Sequence, residues 1–336
     1  MPMWKAVTRT VPVLCALFVL GMTASAQDTR YFTIATGSTA GTYFPVGSLI
    51  AAAISRPVGS SPCDQGGACG VDGLIATAVT TLGSFDNIEG IAEGRFDSGL
   101  AQADIVAWAY HGEQVFTGKS AFPNLRVIAN LYPEHVHLVA RKELGVKSVA
   151  DLDGRWVAID REGSGTRINA LLILHAYGVD RNSILAISAG PEGSITGLLD
   201  GDIDAAFFVV GYPSTAVTEL METGKFDLVP IGGVPAAQLE IANPYFETDV
   251  IPAAAYGTET DIETVTVGAQ LVTHADMSVD LVRDITEALW RENNRSLLGS
   301  GHVQARRMSA ERAVKGVTIP FHPGARLYYE EKGLLK

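Results

Sequence analysis

Two stretches of this sequence place small hydroxyl residues and glycines where a strand hands over to a helix. The first is Ile34-Ala35-Thr36-Gly37-Ser38-Thr39-Ala40-Gly41-Thr42-Tyr43-Phe44-Pro45, and the second is Ala158-Ile159-Asp160-Arg161-Glu162-Gly163-Ser164-Gly165-Thr166-Arg167. Glycine lets the backbone approach a ligand, and a helix start offers free N–H groups and the positive end of the dipole, a setting for an anion. Pro45 falls in the first helical turn, where a missing N–H costs little. The chemistry on offer is the holding of a small carboxylate by hydroxyls and backbone N–H groups. Plain helix capping uses the same residue types, and the two roles are compatible because a cap leaves other N–H groups free. The candidates are Ser38, Thr39, Gly41, Thr42 and Tyr43 in the first stretch and Ser164, Gly165 and Thr166 in the second, with Arg167 the nearest cation.

Asn87 and Gln102 add amides at the ends of their elements. A buried structural amide is the rival role for Gln102. An internal repeat bears on it: residues 87–97 align without gaps on residues 194–204, which puts Val209 opposite Gln102, so the strand itself does not demand a polar residue there. Phe207, Phe208 and Tyr212 follow the same strand and stand either beside a ligand or in the core. His135 and His137 alternate next to Glu134, but a metal site needs more convergent ligands, and hinge or surface histidines are the expectation. Ser164 lacks a Gly-x-Ser-x-Gly setting and an assigned His–acid pair. The Gly37–Gly41 loop has no following Lys and is no dinucleotide fingerprint. No catalytic residue, metal or cofactor is expected.

The elements that position these residues repeat as well. Each copy reads as strand, hydroxyl-glycine loop, helix, then a second helix closed by glycine and a strand entered through Asp. The first copy is longer, and the Cys63–Cys69 loop lies within the extra length. Strands are expected over 31–36, 74–79, 99–102, 125–130, 136–141, 205–210, 228–231 and 265–272. Helices are expected over 43–54, from Ser84, over 103–111, over 167–177 and from Ser278 to Trp290. Phe44, Leu49, Ile50 and Ile54 turn inward on the first helix. Residues 244–264 read as irregular. The chain crosses once at Tyr132-Pro133-Glu134 and returns once, which gives two lobes on a double hinge. Strands alternating with helices make each lobe α/β with a mainly parallel sheet, and ligands in such sheets bind beyond the strands' carboxyl ends. Lobe I is 27–132 completed by 274–336, and lobe II is 133–273.

The chain opens as an export signal, with Lys5 and Arg9, the apolar run Val11–Leu20 and Ala24-Ser25-Ala26 before the cleavage point. Residues 1–26 form this leader, cut after Ala26, and the run is too short to span a membrane. Cys15 lies inside the apolar run, so no lipid anchor is expected. The formal charge of −12 argues against a nucleic-acid partner. Of three cysteines, Cys63 and Cys69 outlast cleavage, and in an oxidising compartment a pair closing a short loop reads as a disulfide.

Gly37-Ser38-Thr39-Ala40-Gly41-Thr42-Tyr43-Phe44-Pro45-Val46-Gly47 resembles the opening signature of the TAXI-type solute receptors of TRAP transporters. Cys63-Asp64-Gln65-Gly66-Gly67-Ala68-Cys69-Gly70 is similar to their cysteine loop, and Gly83–Ile88, Leu100–Asp104, Gly163–Thr166 and Tyr256-Gly257-Thr258 are similar to later blocks. The resemblance implies the type II periplasmic binding protein fold and a monomeric periplasmic receptor. It would deliver an acidic amino acid or a dicarboxylate, such as glutamate or 2-oxoglutarate, to a membrane permease driven by an ion gradient. It also implies that Tyr256 closes the cleft from above. An exported enzyme acting on a small acid and a receptor of an ATP-driven importer are the alternatives.

Overall fold

The computed structural model describes residues 1–3 and 28–336. The leader from Trp4 onward and its cleavage site after Ala26 lie outside the described residues. Among the described residues no helix is long and apolar enough to cross a membrane.

The first half opens with β1 (Arg30–Ala35) and α1 (Tyr43–Ile54), then two short strands, β2 (Ser55–Arg56) and β3 (Val71–Asp72), that flank the Cys63–Cys69 disulfide. It continues with β4 (Leu74–Val79), α2 (Ser84–Ala92), β5 (Ser98–Gln102) and α3 (Ala103–His111). A 17-residue strand, β6 (Leu125–Arg141), carries the chain across. The second half holds β7 (Trp156–Ala158), α4 (Gly165–Ala176), β8 (Leu185–Ile187), α5 (Pro191–Asp200), β9 (Ala205–Val210), α6 (Thr215–Glu222), β10 (Phe226–Val229), α7 (Gly233–Ala242) and β11 (Phe246–Ile251). A second long strand, β12 (Ile262–His274), returns. Helices α8 (Val279–Trp290), α9 (Glu292–Gly301), α10 (Val303–Arg307), α11 (Ala310–Ala313) and α12 (Pro323–Glu331) end the chain.

Ten strands form one sheet with the order β4-β1-β5-β12-β6-β9-β7-β8, and β10 and β11 pair with β6 and β12. The parallel strands expected in each half are present, β4-β1-β5 on one side and β9-β7-β8 on the other. The long strands β6 and β12 run antiparallel to each other and to their neighbours, which makes the whole sheet mixed. β5 is buried along its whole length, as a strand flanked on both sides and covered on both faces must be. One core gathers Phe32, Ile34, Ile50 and Leu100 with Val282, Ile285 and Tyr329, so the C-terminal helices pack on the first half. Another gathers Val136, Leu138, Val157, Ile173, Phe207 and Val265.

Several expectations are corrected. Pro133 does not divide two strands, because β6 is continuous. Proline removes one ladder donor, and β9 begins to pair only at His135, so Pro133 stands where a single neighbour, β12, is present. The segment expected to be irregular contains β11, an edge strand whose four central residues, Glu247 to Val250, are all exposed and show no alternation. Ser84 does not cap α2. Gly83 holds that place at φ +112°, in the region that favours glycine, and the Ser84 hydroxyl accepts from Gln102 N at 3.1 Å. Phe44 and Leu49 are half-buried, while Val46 and Ile50 carry the inner face of α1.

Candidate functional site

The two hydroxyl-glycine loops face each other across a pocket of about 70 Å³. That is room for a small ligand. At its first wall, α1 starts with no side-chain cap, which leaves its first-turn N–H groups available. Thr42, in the cap position, instead accepts from Gly211 N of the opposite half at 3.1 Å. At the second wall, Ser164 caps α4, accepting from Thr166 N at 3.1 Å and donating to Asp160 Oδ2 at 2.7 Å. Gly165 is glycine for a steric reason: a side chain there would strike the Gln102 amide. The start of α2 is already occupied, since Phe85 N donates to Gly163 O of the opposite loop at 3.1 Å.

Of the thirteen ligand candidates, Ser38, Gly41, Thr42, Tyr43, Gln102, Ser164, Gly165 and Thr166 line this pocket. Thr39, Asn87, Arg167, Tyr212 and Tyr256 are not among its lining residues. Thr39 borders an outer groove with Glu192. The Asn87 amide is consumed inside the first half, donating to Thr36 O at 2.6 Å and Leu100 O at 2.7 Å. The Arg167 guanidinium donates to Asp160 O at 3.3 Å. Tyr212 packs edge-on against His135 and lies under the Arg307 guanidinium. The Tyr256 hydroxyl is held by Ser214 N at 2.9 Å and His137 at 3.0 Å.

Among the lining residues not assigned from sequence are the polar side chains of Thr81, Ser84, Glu134, Asp160 and Arg161. Glu134 is a carboxyl within a strand that is buried along almost its whole length. It is 1% exposed, and the Tyr43 hydroxyl donates to its Oε2 at 2.7 Å. Burial, helped by Asp104 and opposed by the Tyr43 hydrogen bond, pushes Glu134 up to about 8. Asp160 is raised by burial against hydrogen bonds from Ser164 and Arg161 N. Its φ of +69° is unusual for a residue with a side chain. Arg161 is the only cation among the lining residues, and it faces Glu192 at 3.7 Å. Gln102 presents a buried Oε1 without a hydrogen-bond partner. Its repeat partner Val209 lines the same pocket, so the two copies bring equivalent strand ends together.

His135 and His137 are fully buried in β6, not at the surface. His135 Nε2 meets Asp249 at 2.9 Å. Burial first, and the neighbouring His135 second, push His137 down to about 3. No group of three metal-type side chains occurs among the described residues.

The architecture is shared by solved structures of low identity. MatC of Rhodopseudomonas palustris with bound malate is 18% identical over 90% of this chain and 97% of that one, with a TM-score of 0.52. PhnD1 of Prochlorococcus marinus (MIT 9301) in complex with methylphosphonate is 12% identical over 91% and 97%, also at 0.52. A protein from Bordetella bronchiseptica RB50 is 16% identical over 90% and 81%, at 0.50. At such identities the likeness concerns the fold, which is the α/β type II periplasmic binding protein fold expected from the sequence. Residues 34–333 match the model of the NMT1-like family, and the chain belongs to that family.

Proposed function

We propose that this chain is an extracytoplasmic solute receptor that binds a small carboxylate between two lobes and hands it to a membrane permease. The observation that carries this reading is the convergence of two helix starts, α1 and α4, on one pocket of small-molecule size. The lobes are 27–132 with 274–336 and 133–273, hinged at β6 and β12. MatC holds malate and PhnD1 holds methylphosphonate; both ligands are small anions, which supports an anion here. The choice of a TAXI-type TRAP permease, driven by an ion gradient, rests on the resemblance of the opening loop and the cysteine loop. Export to the periplasm rests on the leader. Native mass spectrometry of protein purified from the periplasm, followed by calorimetry with malate, 2-oxoglutarate and glutamate, tests the binding claim. One-to-one binding with the solute recovered unchanged is expected. A buried pair of pocket carboxyls, Glu134 and Asp160, favours the exported enzyme as second reading; solute loss in proportion to protein would establish it. Uptake into vesicles with the cognate permease, powered by an ion gradient against ATP, separates the two transporter types.

A further inference from the structure

We propose that Glu134 stands in the closed cleft as the neutral acid and donates a hydrogen bond to a carboxylate of the bound solute, so that binding takes up a proton. This rests on the receptor reading above and adds the chemistry of one contact. Glu134 sits on β6 where the chain passes between the halves, and it lines the pocket. Tyr43 from α1 donates to Oε2, which leaves the other oxygen for a ligand. The groups around it are Tyr132 on its own strand, Asp104 at the start of α3, Asp160 and Arg161 on the loop before α4, and Thr266 of β12, whose hydroxyl donates to the Glu134 backbone carbonyl at 2.8 Å. The one cation among these, Arg161, is 44% exposed along its side chain and turned to Glu192.

An ionised Glu134 would therefore face an anionic solute and the Asp104 carboxylate together, with no cation paired to it among the described residues. Like charges in a shared dry site cannot all be ionised. A proton on the free oxygen turns the repulsion into a charge-assisted hydrogen bond. Burial already favours the protonated form in this structure. With the cleft open to water the carboxyl returns toward its ordinary value of 4.5, so closure at neutral pH draws one proton from solvent. Between those limits the dissociation constant rises by up to about tenfold per pH unit.

The probe is 2-oxoglutarate, which has carboxylates and no amine, with L-glutamate alongside. Calorimetry near neutral pH in two buffers of different protonation enthalpy should show uptake approaching one proton per ligand. Binding should weaken about tenfold over one pH unit above neutrality. Glu134→Gln, checked for folding by its melting curve, should lose that slope, because an amide donates without titrating. If the variant does not fold, the wild-type proton count decides alone. Binding with no proton uptake, or a slope that survives in Glu134→Gln, overturns the inference. Proton release with glutamate, and no binding of 2-oxoglutarate, also overturns it; an ionised Glu134 and Gln102 Oε1 would then hold an ammonium. Failure of every carboxylate to bind would sink the receptor reading itself.

Discussion

Thr42 and Thr166 occupy matching places in the two loops, but their surroundings differ. The Thr42 hydroxyl accepts from Gly211 N across the cleft, whereas Thr166 borders the pocket in the first turn of α4, its own N–H donating to the Ser164 cap. Thr166→Ala should remove a hydrogen bond to a charged carboxylate and weaken binding by roughly 1.5–3 kcal/mol, read by calorimetry, with the unliganded stability unchanged. Thr42→Ala should weaken binding by roughly 1–3 kcal/mol through another route, since it leaves a buried N–H unpaired whenever the halves meet. Asn87→Ala separates structure from binding. It strips the donor from Thr36 O and Leu100 O, so urea unfolding without ligand should show a loss of roughly 1–3 kcal/mol. The hydroxyl-glycine residues were legible in the sequence because their spacing is local: glycine, hydroxyl and helix start lie within a few residues. The polar atoms of Asn87 and Tyr256 have partners that are distant in sequence, Leu100 O in one case and His137 in the other, so no local pattern shows what they meet. The same holds for Glu134, whose neighbour Tyr43 lies far upstream.

At the level of elements, local signals gave the helix ends and the glycine stops, and long-range pairing decided the rest. Gly94 and Gly201 end their helices with positive φ in both copies of the repeat, as the alignment implied. The continuity of β6 through Pro133 and the edge strand β11 depend on pairing with β12, a long-range contact that no local pattern announces. The Cys63–Cys69 loop was legible from spacing, and it packs against the C-terminal helices, with Arg291 donating to Cys69 O at 3.2 Å. Reducing it should cost about 2 kcal/mol by freeing a short loop in the unfolded chain. Solute affinity should not change, because neither cysteine lines the pocket. A second junction joins the halves through α3 and α4: Asn169 Nδ2 donates to Asp104 Oδ2 at 2.6 Å, with both residues fully buried. Burial first, against hydrogen bonds from Asn169 and the backbone, raises Asp104 from 3.8 to about 6. A raised folded-state value means that this group's stabilising effect is full below the unfolded value and lost as pH climbs through the folded one. Wild type should therefore lose up to about 3 kcal/mol from this group between about pH 4 and pH 7. Asp104→Asn should lack that loss, so denaturation of the two proteins should agree best at acid pH and diverge toward neutrality, with the variant the more stable.

The whole molecule is held shut by contacts between its halves. Beyond Thr42–Gly211 and Asp104–Asn169, Ser38 donates to Glu192, Phe85 N donates to Gly163 O, and Arg307 reaches the Tyr212 hydroxyl at 3.1 Å. These polar bonds sit around the pocket, beside apolar contacts that Ile168, Leu172 and Tyr245 make with the core under α2 and α3. Each polar bond exchanges with water at small net gain, on the order of 1 kcal/mol. A solute touching both α1 and α4 has partners on both sides only when the cleft is shut, and that differential contact is what moves the equilibrium. The two passages between the halves, β6 and β12, are neighbours in the sheet, so a bend across this pair changes the gap while each core stays intact. Small-angle scattering should accordingly show an expanded average without solute and compaction at saturation. Arg307→Ala, remote from the pocket lining, should expand the unliganded form further and weaken binding without altering which solute is preferred, because it biases closure and touches no ligand. The same radius with and without saturating solute would mean that closure does not depend on the ligand. A change of solute preference in Arg307→Ala would mean that the Tyr212 corner belongs to the site.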